Sequence, residues 1–328
     1  MELMRPTPDE ARAGLRAMVT VARAPGWIAP PARALIDAAQ GFLLGTDLDV
    51  DRIEGIEPAD VACVLERRGM RRQLVQGMIL VSMASGESSP VQARAVERFA
   101  EELGVETPAL RALHHLASQD LLLYRLCVLR NGHMPDMLRA EYAKHGLTGL
   151  AKAVFGIGGY GEDPEMAARY HALESLPDET LGKHLWRHYR DNGFSVPGER
   201  GSFPEVGVYH DLSHVISGYN ATPEGETLVG AFIAGYRWRR PDNGFFTLLY
   251  ALGDFGVEGR PLPSGSRGGV VGKVARQFFE AIERGAALSI DLSDGWDFRP
   301  YLDQPLDEVR ALLGVPEKDE GGHRWDYA

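Results

Sequence analysis

Apolar residues return at helical spacing along nearly the whole chain, and sustained strand-like alternation is hard to find. Leu15, Met18, Val19 and Ala22 recur at i, i+3, i+4 and i+7, and Val96, Phe99 and Leu103 mark one face of another amphipathic helix. A stripe of this kind loses its water only by packing against other helices, so the expected fold class is all-α. From Thr107 to Leu129, the leucine-rich run fits one long helix or a helix pair. The hydrophobic share, 44%, is enough for real cores, and 328 residues exceed one typical domain.

The expected organisation is two helical domains, 1–145 and 170–316, joined by a linker at 146–169 and followed by a disordered tail at 317–328. Within the first part, a weak repeat recurs at a spacing of 60, with Gly26 answering Gly86 and Pro30 answering Pro90. Val21 to Ile36 and Val81 to Val96 both read as helix end, glycine turn, proline start and new helix, the mark of a duplicated helical hairpin. The junction lies in the glycine- and proline-rich stretch Asn131 to Pro164. Gly156 to Gly161 fits GxGxxG, but that pattern binds dinucleotides only between a strand and a helix, and its neighbours here read as helical, so a connector is expected.

Composition excludes several classes. A formal charge of −11 disfavours nucleic acid as a partner, because phosphate binding needs clustered Lys and Arg. The short runs Arg67-Arg68 with Arg71-Arg72, and Arg237 with Arg239-Arg240, are expected on solvated helix faces. Cys63 and Cys127 are far apart and form no CxxC pair, which points to a reducing cytoplasm and to two buried thiols. The N-terminus lacks an apolar signal core, and no run approaches the length of a membrane span. A peripheral membrane contact through an apolar groove stays open, as does a homodimer.

The most specific segment is His210-Asp211-Leu212-Ser213-His214, followed by eleven residues and then Glu226. On a helix, His210 and His214 share a face, and Asp211 lies on the adjoining stripe. Gly218-Tyr219-Asn220-Ala221 reads as a helix stop, and Thr222-Pro223 as the N-cap and first residue of the next helix. Glu226 then falls in the first turn of that second helix, and a helix pair with a short loop aims it at the histidines. Imidazoles with carboxylates suit a divalent ion: zinc first, with ferrous iron, cobalt or manganese as alternatives. His184 and His188 form a second i, i+4 pair, but among Leu185, Trp186 and Tyr189, with no spare carboxylate at ligand spacing, they read as packing or hydrogen-bonding groups. His114 and His115 read as structural.

These residues resemble the hallmark of the coenzyme Q biosynthesis protein four family, HDxxH, eleven residues, then Glu, matched at His210, Asp211, His214 and Glu226. Leu176-Pro177-Asp178-Glu179-Thr180-Leu181-Gly182 looks like the family's entry to an upstream helix, and Asn192-Gly193-Phe194-Ser195 like its following turn. The likeness is clear over about 170–260. Val206-Gly207-Val208-Tyr209 stands where the family carries a basic run, and Gly198-Glu199-Arg200 replaces an acidic–arginine pair, so the substrate is left open. The N-terminal half resembles the TerB-like tellurite-resistance family, a small helical domain with two related halves, though the acids of that family's turns are largely missing here.

What the first resemblance implies is a metal-dependent enzyme replacing the ring carboxylate of a prenylated aromatic quinone precursor by hydroxyl, with metal and dioxygen. His210, Asp211, His214 and Glu226 are then both ligands and catalytic residues. The alternative is a non-catalytic scaffold holding an isoprenoid or quinone-precursor lipid for partner enzymes. In either case the protein is expected in the cytoplasm or peripheral to the membrane. A third reading makes His210-Asp211 part of a phosphohydrolase site with His184 or His188 and Asp254. Val215, Ile216, Leu228, Val229, Phe232, Ile233, Phe245, Phe246, Leu248 and Leu249 would line an apolar wall or, more simply, form the helix core.

Overall fold

Residues 3–86, 88–139, 142–143, 146–147, 162–202, 204–237, 239–252 and 270–318 are described by a computed structural model. Its N-terminal helices are α1 (Pro8–Arg23), α2 (Pro30–Ala39), α3 (Pro58–Val64), α4 (Arg68–Met83), α5 (Pro90–Glu102), α6 (Pro108–Ala117) and α7 (Leu121–Asn131). The C-terminal ones are α8 (Pro164–Ala172), α9 (Leu181–Asn192), α10 (Val208–Ser217), α11 (Pro223–Tyr236), α12 (Pro241–Leu252), α13 (Val270–Lys273), α14 (Ala275–Ala286) and α15 (Leu306–Leu313). The fold is all-α, and no strand occurs among the described residues. The Thr107–Leu129 run is the helix pair α6 and α7, because Asp120 caps a new start by accepting the Leu123 N–H.

Local signals explain most of the boundaries. Proline opens α1, α2, α3, α5, α6, α8 and α11, where its missing N–H costs nothing. Thr7 with Glu10, and Ser89 with Gln92, close reciprocal capping boxes. The repeat is structural: α1 and α4 occupy 8–23 and 68–83, and α2 and α5 begin at 30 and 90. Both intervening turns use a left-handed glycine, Gly26 at φ 102° and Gly86 at φ 83°. Each donates its N–H over 2.8 Å to the carbonyl three residues back.

Helix α11 is buried on all sides and packs against α10, α12, α13 and α14. Its contact with α14 is backbone to backbone. A Cβ on Gly235 would lie 2.2 Å from the Ile282 carbonyl oxygen, and one on Gly285 2.0 Å from that of Phe232, so only glycines permit this approach. All ten residues considered for the apolar wall are buried in this core.

The two halves share one continuous apolar core. Helix α2 packs on α13 and α14, and α12 packs on α4 and α7. Phe42 stacks on Phe279 with centroids 5.7 Å apart, and the buried Tyr124 hydroxyl donates to the Leu249 carbonyl over 2.6 Å.

Several expectations fail in detail. Cys63 is exposed, because helix α3 turns its 63–64 edge to solvent, and Cys127 is half-buried, with its thiol 3.7 Å from the Pro108 carbonyl. Of the basic runs, Arg237 is only 3% exposed: its guanidinium donates to Ser293 and Thr247 and lies over the Tyr209 ring. Arg71 donates to the carbonyls of Ala62 and Leu103, and Arg72 pairs with Asp242 across the halves. A guanidinium has enough donors to satisfy carbonyls at helix ends, which a charge pattern alone does not display. Within the expected linker, residues 164–169 are already helical, with Asp163 capping α8 by accepting the Met166 N–H over 3.0 Å. His114 is exposed and faces Glu97 at 3.6 Å. Gly156 to Gly161, Asp254 and the tail beyond 318 lie outside the described residues. Among the described residues, no helix is long and apolar enough to cross a membrane.

Candidate metal centre

Helix α10 stops where expected: Gly218 takes φ 76° and returns its N–H to the His214 carbonyl over 2.9 Å. The carbonyls left over at this end are bonded by two guanidiniums. Arg310 of α15 donates to Ile216 and Val215 over 2.9 and 3.0 Å, and Arg284 of α14 donates to Ser217 over 3.0 Å. The loop then turns back, and Thr222 caps α11 by accepting the Gly225 N–H over 3.2 Å. Glu226 sits in the first turn, as the cap and Pro223 require.

Three of the four expected donors converge. His210 Nε2 and His214 Nε2 are 3.3 Å apart, Glu226 Oε2 is 3.3 Å from the first, and Oε1 is 3.2 Å from the second. Ligands about 2.0–2.1 Å from a tetrahedral ion stand roughly 3.3 Å from one another, so each of these separations suits two donors on one ion, with the carboxylate spanning the two imidazoles through both its oxygens. His214 is fixed for the task. Its Nδ1 lies 3.0 Å from the Tyr219 carbonyl, which can only accept, so Nδ1 carries the proton and Nε2 faces the triangle. A ligating histidine held by a backbone carbonyl is the usual outer support of a metal site. The side chain of His214 is 2% exposed and that of Glu226 20%, so water is largely excluded from one flank.

Asp211 stands apart from this triangle and is not among the groups that share a 4.8 Å cluster. Its Oδ2 accepts from the Tyr189 hydroxyl over 2.7 Å, and its Oδ1 lies 3.9 Å from His188 Nε2. Burial raises the Asp211 carboxyl above its ordinary range, against the opposing pull of His210, Tyr189 and His214. Burial also works against charge on His210, but the hydrogen bond and charge of Glu226, with the charge of Asp211, outweigh it and raise the imidazole. Glu226 is held well below the carboxylate range: burial opposes this, and its bonds to His210 and His214 prevail. Before any ion binds, the triangle therefore favours a proton on His210 and an ionised Glu226.

His188 is more than a packing group. Its ring stacks on His214 with centroids 4.9 Å apart and planes 27° apart. Burial, then the charges of His214 and His210, lower its imidazole to about 4, so it is neutral near neutral pH. With His184, His214, Tyr219, Asn220 and Arg310 it lines an open cleft of about 490 Å³ at the edge of the triangle. The i, i+4 spacing of His184 and His188 was the available signal. The seat of α9 is fixed by Leu181 N–H donating to Gln304 over 2.9 Å and Leu306 N–H donating to Glu179 over 2.8 Å, a contact between segments distant in sequence.

Comparison with protein-family models, with curated proteins and with solved structures finds no match.

Proposed function

We propose that His210, His214 and Glu226 hold a divalent transition ion, and that the protein is a metal-dependent enzyme working in the cleft beside His214. The observation that carries this reading is the convergence of the three donor atoms within 4.8 Å. Two imidazoles and one carboxylate on one side leave other positions open, the arrangement used by catalytic zinc and by ferrous oxygenases. Bound there, the ion would supply a Lewis acid, and in the ferrous form a partner for dioxygen.

The substrate class follows from the family resemblance: a prenylated aromatic acid whose ring carboxylate is replaced by hydroxyl. The ring C–C bond breaks and carbon dioxide leaves. A C–O bond forms at the same carbon, while a two-electron donor reduces the second oxygen atom of dioxygen to water. Zinc does not change oxidation state, so this oxidative reading requires iron or another redox ion, whereas zinc fits the scaffold reading. Burial of His214 and the bridging of α10 to α11 favour that second reading, in which the ion fastens the helix pair and the chain presents a lipid to partner enzymes.

The test is to purify the full chain without chelator, count its metal, and incubate it in air with a prenylated hydroxybenzoate and a reductant. Metal with release of carbon dioxide and a hydroxylated ring supports the enzyme. Metal with retained lipid and no turnover supports the scaffold, and protein without stoichiometric metal defeats both.

A further inference from the structure

The side chain of His188 is 8% exposed, and its Nε2 is fully buried with no hydrogen-bond partner. An imidazole N–H or lone pair left unmet in the interior loses its hydration without compensation, so such an atom calls for something to meet it. The group it faces is Asp211 Oδ1, at 3.9 Å, too far for a direct hydrogen bond. Bonds of about 2.1 Å from one ion to an imidazole nitrogen and to a carboxylate oxygen span this gap at a wide angle, roughly 135°, so one ion can touch both donors across it.

The second carboxylate oxygen is already committed. Asp211 Oδ2 accepts from Tyr189, which holds the carboxylate in place and leaves Oδ1 turned towards His188. The two donors come from different helices, α9 and α10, as those of the His210–His214–Glu226 triangle come from α10 and α11. The pair also adjoins the triangle: His188 stacks on His214, and Asp211 follows His210 in the chain. The cleft that both His188 and His214 line runs beside this position, though Asp211 is not on its wall, and it is the nearest source of the water that would complete the coordination of an ion held by two protein donors.

We propose that His188 Nε2 and Asp211 Oδ1 form a second divalent-metal position beside the triangle, so that the centre takes two ions rather than one. This rests on the reading of His210, His214 and Glu226 as ligands and extends it. Two-metal sites commonly hold their ions about 3.5–4 Å apart, and they suit substrates with an anionic oxygen that both ions can share. The class of ligand implied is therefore a carboxylate, or a phosphate, bridging the pair. The proposed ligand set supplies two carboxylates, Asp211 and Glu226, to two divalent cations, so an anion from the cleft would complete the neutralisation.

The experiment uses the full chain, stripped of metal and titrated with Mn²⁺ alone, with bound ions counted by native mass spectrometry and their coupling read by electron paramagnetic resonance. Wild type is expected to take two ions with an exchange-coupled spectrum. His188→Phe keeps a ring to stack on His214 but no donor, and Asp211→Asn offers a weaker ligand while keeping an acceptor for Tyr189. Each is expected to retain one ion and show only the uncoupled signal. Circular dichroism confirms that both variants are folded. A wild type that saturates at one uncoupled ion, or a folded His188→Phe that still binds a coupled pair, overturns the second position and leaves the triangle standing. Binding of no ion overturns both.

Discussion

At the scale of single residues, protons and metal compete for the same nitrogen. His210 is raised by its bond to Glu226, so an incoming ion must displace a proton that is held more firmly as pH falls. Affinity for Zn²⁺, measured by competition with a chromogenic chelator, is expected to weaken by up to about tenfold per pH unit on the acid side of the His210 titration. Affinity that stays flat between pH 8 and 6 would contradict the assignment of His210. A second imidazole, outside the ligand set, has its own pH signature. His133, packed edge-on to Tyr209, is held to about 2 by burial and then by the charges of Arg237 and Arg240. Its folded pKa is below the unfolded value, so the unfolded state binds the extra proton and stability present above about 6.5 is lost as pH falls. Chemical denaturation between pH 7 and 5 is expected to show a loss of at most about 1.4 kcal/mol per unit from this group, reduced in His133→Gln. An identical slope in the variant would discount it. The donors on one helix face were legible because i, i+4 spacing survives any packing, whereas His188 and the buried Arg237 depend on contacts from other elements that spacing does not encode.

At the scale of elements, the centre depends on how α10 ends and α11 begins. Thr222→Ala removes the cap that seats Glu226 and is expected to cost about 1 kcal/mol of stability, with weaker metal binding as a consequence. Thermal melts with and without Zn²⁺ check both effects, and a variant with unchanged metal affinity would show that the first turn does not need its cap. The backbone contact of α11 with α14 is less forgiving. Gly235→Val would drive a side chain into the Ile282 carbonyl, and loss of several kcal/mol or failure to fold is expected. A Gly235→Val protein as stable as wild type in urea would show that the two helices are not so closely packed. The cap, the stop at Gly218 and the 60-residue repeat could be read in advance because each is a local conformational preference. The pairing of Gly235 with Gly285 could not, since a glycine inside a helix signals nothing until its neighbour is known.

At the scale of the molecule, the N-terminal and C-terminal helices share a core instead of meeting at a thin boundary. Arg5 pairs with Glu283 at 2.7 Å, and Asn243 donates to Asp136 over 2.9 Å, so polar contacts fasten the two parts as well. A single cooperative urea transition is expected by both fluorescence and circular dichroism, and two separated transitions would show that the halves unfold independently. The helical fold class was legible from periodicity, but the shared core was not, because the glycine-rich junction marks a change of local conformation and says nothing about which distant faces will meet. The metal centre itself rests on three donors, His210, His214 and Glu226. X-ray diffraction at the absorption edge of the bound metal tests it most directly: the anomalous peak is expected within bonding distance of His210 Nε2, His214 Nε2 and a Glu226 oxygen. A fully metal-loaded crystal with its scatterer elsewhere, or protein that takes up no ion at all, would contradict it.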